Sequence, residues 1–265
     1  MKQKLKLGIS PCPNDTFIYE NLIQGLPNSP FEFEVYFEDV QTLNEMVQQN
    51  FLDVAKVSCG VIPEILKDYR VLCCGGAIGY SCGPLLLGSR SSVFENVETV
   101  LPGKNTTAAL LFRFFMQEMF NEKPKTEYAL FNEVYKKLKA KQIKQGVVIH
   151  EHRFTYARDG LFLIQDLGAF FETKTGVPVP LGAAVLKKSF SNDLQKELES
   201  EFQKSLTLAK NRENSVTPFI LEKAQIEDIS VIESHIKTFV TDFSFDMGAK
   251  GKAALQKLFE TFQNN

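Results

Sequence analysis

Residues 4–16, KLKLGISPCPNDT, pass from one chain geometry to another within a few positions. Lys4–Ser10 alternates polar and apolar side chains, the period of two expected of a strand with one buried face. Pro11 stops it, because proline has no amide to give a ladder. Asn14 or Asp15 then offers a side-chain oxygen to cap a helix that runs to about Ile23. A strand that enters a stiff two-proline turn and then a helix is the opening of a β-α-β unit.

The next elements repeat the alternation. Phe31–Glu38, FEFEVYFE, sets Phe31, Phe33, Val35 and Phe37 on one face and Glu32, Glu34 and Glu38 on the other. A helix over about Thr42–Gln49 leads to a strand near Asp53–Val57, with further strand segments at Val71–Leu72 and Gly83–Gly88. This order predicts a largely parallel sheet with helical crossovers. The pattern then restarts: strands at Val97–Leu101, Tyr128–Phe131 and Gly146–Ile149 alternate with helices at Thr106–Met119 and Asn132–Lys139. Pro178 and Pro180 mark a return crossing, after which Gly182–Leu186 rejoins the first unit. The expectation is an α/β protein of two lobes, a larger one of residues 1–92 and 179–265 and a smaller one of 93–178, with a ligand cleft between them. The C-terminal third is helical. Leu194, Leu198, Phe202 and Leu206 form one apolar stripe, Ile229, Ile232, Ile236 and Val240 a second, and Ala254, Leu255, Leu258 and Phe262 a third.

Composition narrows the function classes. A chain of 265 residues with a formal charge of -2 has no general attraction for nucleic acid or an anionic membrane. The 23 phenylalanines predict an aromatic-rich core and offer flat walls for an aromatic ligand. The five cysteines are odd in number, lack a C-x-x-C spacing and include the adjacent pair Cys73–Cys74, which suits neither a disulfide framework nor a zinc site. Reduced, buried thiols and the missing apolar h-region before Pro11 predict a cytoplasmic protein.

The chemistry concentrates where predicted strands end. Gly146–Tyr156, GVVIHEHRFTY, carries three branched residues straight into an ionisable cluster, and it holds two of the chain's three histidines. Open α/β folds bind ligands at such carboxyl ends. His150 is therefore the candidate general base, its unperturbed pKa lying near neutrality; the competing reading is a strand-ending histidine bonded to a backbone carbonyl. Glu151 is expected to point away to solvent, and a turn after His150 would carry His152 out of the cleft. His235, among Ile232, Ile236 and Phe239, is expected to be a hydrogen-bonded packing histidine. The turn containing Ser10 and Asn14 opens a helix whose first amides suit an anion. Pro102–Ala108, PGKNTTA, fails the phosphate-loop pattern but leaves the amides of Thr107 and Ala108 facing outward, fit for a carboxylate. Lys56 and Ser58 end a further strand near the same edge.

SPCPNDTF, the K-x-S of Lys56–Ser58, PGKNTTA, IHEHRFTY and DLGAFFETKTGVPVPLGA (Asp166–Ala183), in this order, resemble the 1,4-dihydroxy-6-naphthoate synthases of the futalosine route to menaquinone. The resemblance spans nearly the whole chain, with His152 and Cys59 as local departures. It implies a two-lobe fold similar to type II periplasmic binding proteins, working in the cytoplasm without metal or cofactor. It implies a carbon–carbon lyase that converts cyclic dehypoxanthine futalosine, a small carboxylate, to 1,4-dihydroxy-6-naphthoate. His150 then corresponds to the proton acceptor, while Lys56, Val57 and Ser58, with Thr107 and Ala108, correspond to substrate contacts. The rival readings are the chorismate dehydratase of the same pathway and a non-catalytic small-molecule binding protein. Oligomeric state is left open.

Overall fold

A computed structural model describes residues 2–263 of the chain. The order is β1 (Gln3–Ile9), α1 (Pro13–Gln24), β2 (Phe31–Phe37), α2 (Val40–Gln48), β3 (Val54–Ser58), α3 (Ile62–Ile65), β4 (Tyr69–Val71), β5 (Ala77–Gly79) and β6 (Leu85–Gly88). It continues with β7 (Thr99–Leu101), α4 (Thr107–Phe120), β8 (Thr126–Tyr128), α5 (Phe131–Lys139), β9 (Gln145–Val148), α6 (His152–Thr155), β10 (Phe162–Asp166) and α7 (Leu167–Thr175). β11 (Val179–Lys187) precedes α8 (Asn192–Lys210), α9 (Pro218–Lys223), α10 (Ile229–Phe239), α11 (Asp242–Phe245) and α12 (Gly248–Gln263).

The strands form two sheets, β2-β1-β3-β11-β4 with β5 added on β11, and β10-β6-β9-β7-β8. Neither is largely parallel. β1 runs parallel to β2 and β3, and β7 parallel to β8 and β9. β11 is antiparallel to β3, β4 and β5, and β6 is antiparallel to β9 and β10. The parallel pairs are those joined by helical crossovers. β11 returns from the other sheet and inserts between β3 and β4, so no crossover sets its direction.

Sheet membership also changes earlier than residue 93. Leu85–Gly88, which reads as a strand of the first unit, bonds into the second sheet through β9 and β10. Its run Leu85-Leu86-Leu87 is apolar on both faces, and such a strand fits the interior of either sheet equally well. β5 and β10 escaped the sequence reading; Ala77–Gly79 is only three small or branched residues, too short to show a period.

The largest apolar cluster joins both sheets through Val57, Leu86, Val147 and Ala183, with Leu43 of α2 and Phe112 of α4, all buried. A second packs α1, α8 and α10 on the first sheet through Leu7, Ile18, Phe202 and Ile232, and a third packs Val134 and Leu138 of α5 on the second. The C-terminal stripes are buried as expected at Leu198, Phe202, Leu206, Ile232, Ala254 and Leu258; the side chain of Phe262 lies outside the described residues. Among the described residues no helix is long and apolar enough to cross a membrane.

The chain crosses between sheets at 80–84 and again between Asp166 and Val179, and Arg153 holds both crossings together. Its guanidinium donates to the carbonyls of Gly83 and Ser81 and pairs with Asp166, Nη2–Oδ2 3.1 Å. Here the backbones of Gly83 and Gly168 touch: a Cβ on Gly83 would lie 2.2 Å from the Gly168 Cα, a contact only backbone movement could relieve. Gly83→Ala is therefore expected to destabilise the protein by about 1–3 kcal/mol, an overpacking cost. At about 2–4 °C per kcal/mol for a chain of this size, the melting temperature should fall by several degrees. A thermal unfolding curve superimposable on that of the unaltered protein would show that the crossing is looser than this contact requires.

Candidate active site

The carboxyl ends of β1, β3 and β9 and the start of α4 converge on one cleft of about 700 Å³, counting its open mouth. Ser10 and Asn14 line it from the β1–α1 turn, and Lys56, Val57 and Ser58 from β3. Thr107, Ala108 and His150 complete its wall, so every side chain singled out in the sequence as a site candidate reaches one space.

Asp15 lines the cleft beside Lys56. The β1–α1 turn does not cap as expected: Cys12 takes the cap position with no side-chain bond to the helix, Pro13 opens α1, and Asn14 and Asp15 lie inside its first turn. Proline presets the first helical φ and lacks the amide that would need a cap. Asp15 is thus free to face the cleft, where its carboxylate meets Lys56 Nζ at 2.8 Å with both groups buried. Ser10 Oγ donates to it at 2.7 Å and Asn14 Nδ2 at 2.8 Å. The sequence held the signal for Asp15: a lysine at the end of a buried strand demands a counter-charge, and an acidic residue stood in the neighbouring turn.

Ser58 and Thr107 join β3 to α4 across the cleft. The Thr107 amide donates to Ser58 Oγ at 2.6 Å, and the Thr107 hydroxyl donates to the Leu181 carbonyl at 2.8 Å. The Thr107 amide is therefore already engaged, not outward-facing as expected. Thr106 caps α4, its Oγ1 accepting from Ala109 N at 3.1 Å. Asn44, buried on α2 and missed in the sequence, accepts from Ser58 N and donates to the Asn105 carbonyl, both at 3.0 Å.

β9 stops at Val148, and His150 adopts φ +58°, in the left-handed region. That turn swings the ring onto the cleft wall, at a conformational cost of the kind found where function imposes geometry. Its Nδ1 lies 3.5 Å from Cys12 Sγ, and its ring meets Phe131 edge-on at 5.0 Å. Burial pushes the imidazole down to about 4, with Asp15 opposing and Lys56 reinforcing the shift. The group is neutral at pH 7 and titrates below the near-neutral range expected of it.

Two further expectations change, for Glu151 and His235, and the one for His152 holds. Glu151 is buried, not exposed, because the strand has already ended and the turn at His150 cancels the alternation; burial raises its carboxyl. His152 leaves the cleft, as a turn requires, and stacks on Tyr135 at 3.7 Å. His235 is fully buried, but neither ring nitrogen has a hydrogen-bond partner among the described residues. Its ring packs on Phe239 at 4.5 Å and lies 6.1 Å from that of His150, and its pKa is driven well below the usual value by burial.

Comparison with known proteins places these features in context. A family model described as menaquinone biosynthesis matches residues 5–264. The 1,4-dihydroxy-6-naphthoate synthase of Streptomyces coelicolor is 35% identical over 96% of this chain and 91% of that protein. The Thermus thermophilus protein of the same name is 33% identical over 97% and 93%. Among solved structures, a protein of Archaeoglobus fulgidus superposes with a TM-score of 0.92 at 23% identity, covering 98% of this chain and 97% of that one. The periplasmic aliphatic sulphonate binding protein of Escherichia coli superposes at 0.68 with 11% identity, covering 100% and 88%. At such identities the structural likeness concerns the fold, which is the periplasmic-binding-protein type with two sheets flanking a cleft.

The depressed histidines make stability depend on pH with a definite sign. Burial holds His150 and His152 at about 4 and pushes His235 well below its usual value in the folded chain, against about 6.5 unfolded. Between those values the unfolded chain binds more protons, so stability is full above about pH 6.5 and falls as the pH drops toward 4. Replacing His235 with Leu removes one such group. Urea unfolding at pH 7 and pH 5 should show the variant losing less stability than the unaltered protein between the two. Equal losses would mean that His235 binds a proton in the folded state.

Proposed function

The chain belongs to the menaquinone-biosynthesis family, and we propose that it is a 1,4-dihydroxy-6-naphthoate synthase: a carbon–carbon lyase acting on cyclic dehypoxanthine futalosine, with His150 as general base. Support comes from the two relatives of that name, each matched over more than nine-tenths of its length. The observation that carries the reading is His150, an imidazole on the cleft wall that burial keeps neutral.

An unprotonated ring at pH 7 has its lone pair available in every molecule. Its low basicity is offset as the reaction proceeds, because negative charge developing on a bound substrate raises the pKa of a neighbouring imidazole. Removing a proton starts the loss of the sugar-derived portion, and aromatisation of the naphthalene ring drives it. The substrate carboxylate would lie between Lys56 and the N-terminus of α4, using the Ala108 amide or displacing Ser58 Oγ from that of Thr107. Ser10, Asn14 and Val57 complete the contact surface in this reading.

Purified protein offered cyclic dehypoxanthine futalosine should release 1,4-dihydroxy-6-naphthoate, read by mass spectrometry. Consumption of chorismate in its place, or retention of ligand without product, would support the rival readings. His150→Asn keeps the size of the ring but cannot take a proton at neutral pH, so turnover should fall about 10²–10⁴-fold. His152→Asn, off the cleft, should retain most activity. A dead His152→Asn beside an active His150→Asn would move the base to another residue.

A further inference from the structure

The contact between Cys12 and His150 joins parts of the chain that belong to different sheets. Cys12 follows β1 of the first sheet and His150 follows β9 of the second. Cys12 is held rigidly: its carbonyl accepts the amides of Asp15 and Thr16 at 3.0 Å each, its amide donates to Ser10 Oγ at 3.3 Å, and the residue is buried. His150 Nδ1 lies 3.5 Å from that fixed sulfur. On its other sides the ring meets Phe131 at 5.0 Å and His235 at 6.1 Å, neither of which bonds to a ring nitrogen.

A neutral imidazole carries one N–H and one lone pair, and which nitrogen holds the proton is set by the bond that the other nitrogen makes. We infer that Cys12 is a positioning residue for His150: its sulfur accepts the Nδ1 proton, which leaves the Nε2 lone pair turned to the cleft as the proton acceptor. This rests on the reading of His150 as the base. The consequence is that the base acquires its working tautomer only where the two sheets come together. Elsewhere a carboxylate commonly fills this role behind a catalytic histidine, adding charge as well as orientation. Sulfur adds orientation alone here, since burial holds the thiol in its neutral form, and the ring keeps its low pKa.

The test uses Cys12→Ala, Cys12→Ser and His150→Asn in the full-length protein. Losing the acceptor in Cys12→Ala should lower kcat about tenfold, the order of one hydrogen bond, and leave KM nearly unchanged. The serine oxygen should restore most of it. Protein labelled with ¹⁵N-histidine supplies a readout independent of turnover. The His150 resonances, assigned by their loss in His150→Asn, should report an Nδ1-protonated ring, shifting toward the Nε2-protonated form in Cys12→Ala. An unchanged kcat or an unchanged tautomer in Cys12→Ala overturns the inference, while an inactive His150→Asn keeps the base reading intact. An active His150→Asn overturns the base reading itself, and the tautomer measurement still decides whether Cys12 orients the ring.

Discussion

The cleft depends on how the last residue of β3 meets the first turn of α4. Helix N-termini leave amides without partners, and buried hydroxyls must be bonded. Ser58 and Thr107 answer both demands at once. Ser58 Oγ accepts the amides of Thr107 and Gly60, Thr107 Oγ1 accepts the Gly60 amide and donates to Leu181 O, and the Ser58 hydroxyl proton is left for Thr107 Oγ1, 3.0 Å away. Gly60 has no room for a side chain, since a Cβ there would lie 2.7 Å from the Thr106 carbonyl carbon. At this edge of the cleft the two sheets are tied by hydrogen bonds in addition to the apolar cluster they share.

The Asp15–Lys56 pair beneath this clasp contributes differently. Removing two charges from water costs several kcal/mol each, and their attraction recovers that only when the remaining polar atoms are also bonded. Ser10 and Asn14 supply those bonds to the carboxylate. A well-packed apolar pair could serve stability equally well, but it would leave the cleft without a fixed ammonium and carboxylate. The pair therefore makes more sense as preorganised electrostatics than as reinforcement of the fold.

His150 combines two costs, a left-handed backbone and a half-buried ring whose charged form is disfavoured. Both follow from the same circumstance: a strand ending in the second sheet must turn sharply to present its side chain to a turn of the first. His235 adds a third, with two ring nitrogens that find no partner among the described residues. Departures of this kind from local consistency gather where function lies.

Much of this was legible in the residues. The alternation of Lys4–Ser10 and of FEFEVYFE, the helical stripes of the C-terminal third and the ionisable cluster after Val147–Ile149 follow from side-chain period and type, which act over neighbouring positions. So do the candidates Ser10, Asn14, Lys56, Ser58, Thr107, Ala108 and His150, because strand ends and helix starts are local features, and all of them line one cleft. Val57 came from the family resemblance alone and lines the same cleft. Only the tertiary structure decided the antiparallel insertion of β11, the membership of Leu85–Gly88 in the second sheet, the pairing of Asp15 with Lys56, the burial of Glu151 and the approach of Cys12 and His235 to His150. Each of these is a relation between segments far apart in the chain, fixed by shape and hydrogen bonding across an interior that no local pattern of residues records.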